Sequence, residues 1–184
     1  MRTRNVVTSH PLQTMKLTAI RPAIPALLLA LLVLVPMWDK AFTIDDTLFL
    51  LQAKHVLSDP LHPTAFDVVW DLPKPERLSQ ILPSGPVMAW LLVPAVAGHA
   101  SELIAHGIET PLLLLAILAT VSLALRLGLS TGSARVAGLL LACTPAVLAM
   151  AGTAMPDVPA MALSYQGSPP GYARVAAEVR QFQE

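Results

Sequence analysis

Ala41-Phe-Thr-Ile-Asp-Asp-Thr-Leu-Phe-Leu-Leu-Gln-Ala-Lys-His55 follows the first long apolar run of the chain and sets two adjacent carboxylates, Asp45 and Asp46, close to its end. At about 100° per residue, Phe49, Leu50, Ala53, Val56 and Leu57 fall on one helical face, while Thr47, Lys54, His55 and Ser58 fall on the other. The spacing predicts an amphipathic helix lying at an interface, with the acidic pair in its first turn. Two readings of the pair stand side by side. Thr43 and Asp46 have the spacing of a capping box, and first-turn acids suit the positive end of the helix dipole. Paired acids at a membrane edge can instead take a proton from an attacking hydroxyl or hold a divalent metal.

Upstream, residues 22–38 (Pro-Ala-Ile-Pro-Ala-Leu-Leu-Leu-Ala-Leu-Leu-Val-Leu-Val-Pro-Met-Trp) form the first apolar run. Seventeen residues make about 26 Å of helix, just enough to span, and Trp38 fits an interfacial anchor. Small residues before a cleavage point are missing, since Met37-Trp38-Asp39 follows, so the run reads as a transmembrane helix rather than a signal peptide. Residues 1–21 carry Arg2, Arg4, Lys16 and Arg21 and no acid, whereas 39–77 hold seven acids against four bases. The positive-inside rule places this basic tail in the cytoplasm and the acidic stretch outside.

Composition agrees with a membrane protein. Of 184 residues, 54% are hydrophobic and 13% charged, about half the charged share of soluble domains. Cys143 is the only cysteine, so no intramolecular disulfide can form. No P-loop, paired zinc-ligand motif, dinucleotide fingerprint or basic-aromatic nucleic-acid patch is present, which gives no support to soluble-enzyme cofactors or a nucleic-acid partner.

Downstream, six prolines between residues 59 and 86 exclude a long helix or a central strand and predict an external loop. Residues 87–97 are apolar but reach only about 17 Å, so they predict an interfacial or re-entrant helix. His99, Glu102 and His106, costly in lipid, follow it. The whole of 39–107 thus reads as one external region, and His99 and His106 as interfacial polar residues. Membrane helices are expected at 108–128 and 136–155, joined by a connection that carries Arg126 and Arg135 and no acid and therefore lies inside. Pro145 should kink the second of them. Asp157 then emerges outside as an N-cap, and 156–163 begin a further helix. Residues 164–184 are polar, cannot span and are expected to stay disordered, a mismatch that points to an incomplete or frame-disrupted gene. The fold class expected is all-α integral membrane, with about three transmembrane helices plus interfacial helices in the first external loop.

The order of elements resembles the N-terminal part of the polyprenyl-phosphate-dependent GT-C glycosyltransferases, in particular bacterial enzymes like dolichyl-phosphate-mannose–protein mannosyltransferase and aminoarabinose transferase. The resemblance is carried by Ile44-Asp-Asp-Thr-Leu-Phe-Leu-Leu-Gln-Ala-Lys-His55, by Leu82-Pro-Ser-Gly-Pro-Val-Met-Ala-Trp-Leu-Leu92 and by Thr144-Pro-Ala-Val-Leu-Ala-Met-Ala-Gly-Thr-Ala-Met-Pro-Asp-Val-Pro159, over roughly residues 20–163. It implies that Asp45 and Asp46 supply the general base for an acceptor hydroxyl and that Asp157 lies near the donor phosphate. The donor implied is a polyprenyl-phosphate-linked sugar, with a divalent metal as a possible addition and no assigned metal ligand. Lys54 and His55 are candidates to meet the donor phosphate as cations, or are simply the solvated face of their helix. The family's basic-Pro-Pro segment appears here only as Pro83-Ser-Gly-Pro86. The setting implied is the bacterial plasma membrane, multi-pass, with protein, glycan or lipid as acceptor. The rival class is a non-catalytic small membrane subunit or scaffold, or an inactive remnant of a larger enzyme.

Overall fold

A computed structural model describes residues 19–70, 73–82 and 85–164. The basic N-terminal tail up to residue 18 and the polar C-terminal stretch from residue 165 lie outside the described residues. The architecture is mostly helical, as expected. Helix α1 (Ile20–Leu34) continues as a 3-10 turn over Val35–Met37. It is followed by α2 (Ile44–Val56), α3 (Leu78–Ile81), α4 (Val87–Val96), α5 (Glu102–Arg126), α6 (Thr131–Cys143), α7 (Pro145–Ala151) and α8 (Asp157–Ser164). In the proline-rich connection, β1 (Asp67–Val68) and β2 (Glu76–Arg77) pair antiparallel, Asp67 opposite Arg77.

Two apolar cores result. The larger gathers α1, α5 and α6. Its seam on α1 is Ala19, Ala23, Ala26, Ala30 and Leu34, spaced three and four apart and buried. Small side chains there let α6 come close, and Gly138 completes the approach: a Cβ at Gly138 would lie 2.8 Å from Val121 Cγ2 and 3.5 Å from Ala26 Cβ. The smaller core packs Phe49, Leu50 and Ala53 of α2 against Met88, Leu92 and Ala95 of α4, with Ala105 of α5 and Ala154. Leu57, assigned by periodicity to the same apolar face, is exposed.

Among the described residues, only Ile20–Met37 and Glu102–Arg126 are single helices long and apolar enough to cross a membrane. The second begins at Glu102, not at 108, because the Ser101 hydroxyl accepts from Ile104 N–H and starts the helix inside the region read as external loop. His106, Glu109 and Thr110 are thereby carried into the protein interior. Over the expected span 136–155 lies a bent pair, α6 and α7, which is apolar and long enough only when taken together and is broken by 61° at the expected Pro145. Thr144, held extended by the proline after it, ends α6 there. Helix α4 is ten residues, too short to cross, as read from its length.

Overpacking the α1–α6 seam should be felt directly. Gly138→Leu is expected to lower stability by about 2 kcal/mol, read as a lower thermal unfolding midpoint in detergent. Gly132→Ala, whose Cβ would meet only Ser130 Oγ at 3.7 Å, should leave the midpoint unchanged or higher.

Candidate functional site

Adjacent residues on a helix point about 100° apart, and the two first-turn acids of α2 have opposite fates. Asp45 is exposed, whereas Asp46 is 0% exposed. Both oxygens of Asp46 are engaged. Oδ2 accepts the Thr43 backbone N–H at 2.7 Å, the capping arrangement its spacing predicted. Oδ1 accepts the Ala154 backbone N–H at 2.8 Å, from the turn between α7 and α8 and 108 positions along the chain. The His106 ring adds a third neighbour, Nε2 lying 3.8 Å from Oδ2. Burial raises the Asp46 pKa, but the His106 ring and the N–H groups of Thr43 and Ala154 together outweigh it. The carboxyl is held below its ordinary value.

A second polar layer lies directly behind, at the head of α5. His106 Nδ1 donates to the Trp38 carbonyl at 3.3 Å, and its ring stands edge-on to Phe42 with centroids 5.6 Å apart. Trp38 Nε1–H donates to Thr110 Oγ1 at 2.9 Å, so its polar end meets protein. Glu109 is 0% exposed, and among the described residues neither of its oxygens has a hydrogen-bond partner.

Of the other expected site residues, Asp157 is exposed and is the first helical residue of α8. It lines an apolar cavity of about 140 Å³ with Val147 and Met150 of α7 and Met161 of α8. Lys54 is exposed, while the neighbouring His55 is half-buried with its ring 4.5 Å from that of Phe66. The two do not converge as one cationic pair. Among the described residues no three His, Cys, Asp or Glu side chains group so as to hold a metal ion, and both Asp46 oxygens are already committed to backbone donors.

His106 and Glu109 are the residues whose place the sequence did not reveal. Their signal was present: His106, Glu109 and Thr110 stand three and four apart on one face at the head of an apolar run. Chemically the arrangement divides the labour of the acidic pair. Asp46 is an anion stabilised by two amides, which makes it a tether and a weak proton acceptor. Asp45 is exposed, and among the described residues no hydrogen bond or ion pair engages its carboxylate.

Asp46→Ala should cost about 3 kcal/mol, because it removes two charge-assisted bonds and leaves a buried N–H at Ala154, whereas Asp45→Ala should cost less than about 1 kcal/mol. Thermal unfolding followed by helix signal measures both. A lowered folded-state pKa means that the contribution of Asp46 is complete above the unfolded carboxyl value of about 4. It is lost as pH falls through the folded value. The midpoint of the wild type should therefore drop more steeply below about pH 4 than that of Asp46→Ala. No protein-family model, curated protein or solved structure matches the chain, so its function rests on this geometry and on the motifs in its sequence.

Proposed function

We propose that the chain is a multi-pass bacterial plasma-membrane protein of GT-C glycosyltransferase type, moving a sugar from a polyprenyl-phosphate donor to an acceptor at the outer face. The observation that supports this most is the Asp46–Ala154 bond. It draws the first-loop acids to the turn that leads into Met155-Pro-Asp157, so the two motifs of the resemblance meet at one end of the bundle. Leu28, Leu32 and Leu140, each more than half exposed on α1 and α6, favour lipid contact.

On this reading α1 runs outward, α5 inward, and the bent pair α6–α7 outward as a third span, with Arg126 and Arg135 cytoplasmic. Asp45 takes the proton of the acceptor hydroxyl as its oxygen attacks the anomeric carbon. The bond from that carbon to the phosphate oxygen breaks, and polyprenyl phosphate leaves with the electron pair. Asp46 positions Asp45 by fixing the first turn of α2. Asp157 sits beside an apolar cavity on the donor side. One observation favours a second reading, a non-catalytic membrane scaffold: each Asp46 oxygen accepts a backbone N–H, a structural service that needs no chemistry.

Cysteine labelling of intact cells tests the topology. A cysteine at Ser130 should react only from the cytoplasm and one at Ser79 only from outside; external labelling at Ser130 would reverse the orientation of α5. Transfer from a radiolabelled polyprenyl-phosphate hexose, assayed in membranes, separates the two functions. Asp45→Asn should abolish transfer at normal accumulation, and Asp157→Asn should weaken donor use. Transfer that survives Asp45→Asn removes Asp45 as the base, and a wild type without transfer leaves the scaffold.

A further inference from the structure

Gln52 lies on α2, away from the Asp46 tether, and is 0% exposed; among the described residues neither its amide oxygen nor its amide nitrogen has a hydrogen-bond partner. One turn further on, three positions along the same side of the helix, His55 Nε2 is also buried and equally unpartnered. The Phe66 ring stands against the His55 imidazole at 4.5 Å between centroids and 33° between planes. Buried amides are ordinarily paired, and leaving one unpaired is costly to the fold. Two such groups a turn apart on one short helix, beside an aromatic ring, point to a site whose partner comes from outside the fold.

The chemistry of the three side chains selects the partner. A glutamine amide offers two donors and an acceptor oxygen with two lone pairs, and an imidazole can supply one donor and one acceptor. The ligand must therefore both give and take hydrogen bonds, as hydroxyls do. Among the described residues Lys54 is about 160° around the helix from Gln52 and exposed, and Arg77 is paired with Asp67, so neither cation is committed to an anion there. Phe66 supplies an apolar ring face. A sugar ring has this combination, with hydroxyls at its edge and C–H groups on its faces. We propose that Gln52, His55 and Phe66 form a recognition site for a neutral, hydroxyl-bearing ligand of the sugar class. The choice of a sugar over another polyol rests on the glycosyl-transfer reading; the site itself rests on the unpartnered groups.

The test uses the full chain in lauryldimethylamine oxide micelles, a detergent without sugar, and follows thermal unfolding. Methyl α-mannopyranoside, methyl β-glucopyranoside and N-acetylglucosamine are the probes, with glycerol and inorganic phosphate as controls. At least one glycoside should raise the wild-type midpoint beyond the glycerol control, and Gln52→Leu should abolish that rise. Without ligand, Gln52→Leu should melt at or above the wild type, since it replaces an unpaired buried amide by an apolar group of similar size. Should that variant fail to fold, His55→Phe gives the same reading. The proposal is overturned if no glycoside exceeds glycerol, if the rise persists in the variant, or if phosphate alone produces it. A glycoside-dependent rise in a protein without transfer activity would leave this site standing and remove the enzymatic reading; transfer without any such rise would do the reverse.

Discussion

The Asp46 carboxylate is the constraint on which the remainder of the structure depends. It lies where the two apolar cores meet, and hydrophobic contact alone does not fix their relative placement because burial of apolar surface is non-directional. Bonds to Thr43 N–H and Ala154 N–H are directional, and together they set where α2 begins and where the α7–α8 turn rests. A buried anion with two amide donors and a histidine beside it is tolerable; the same anion with none would not be. That asymmetry ties the smaller core to the turn between α7 and α8.

Helix α5 shows how a chain this apolar accommodates polar groups. Its long C-terminal part contributes Leu113, Ile117 and Val121 to the larger core, while its first turns carry His106 and Thr110 to partners around Trp38. Trp38 and His106 are each hydrogen-bonded within the fold. The junction after the first helix is thus clamped from both sides of the Trp38 peptide unit and indole.

Local spacing carried much of this in the sequence. The Thr43/Asp46 cap needs only three residues of separation and was legible, as were the stiff turn at Pro145 and the shortness of Val87–Val96. The start of α5 was hidden because Glu102 and His106 look expensive in lipid, whereas in the fold His106 bonds the Trp38 carbonyl and stands beside Asp46. The Ala154 partner of Asp46 was hidden for another reason: a backbone N–H leaves no mark on composition or periodicity. The split between a tethered Asp46 and an exposed Asp45 follows from the 100° between adjacent helical residues, with the Ala154 N–H completing the tether.

The bond also has a history in time. Its two ends are 108 residues apart, and at about 5–20 residues per second of synthesis Ala154 is made roughly 5–20 s after Asp46. Within that interval Thr43 N–H, three residues away, is available to the carboxylate as soon as α2 forms, and His106 follows about midway. The cap can therefore engage one Asp46 oxygen before the turn between α7 and α8 exists to engage the other.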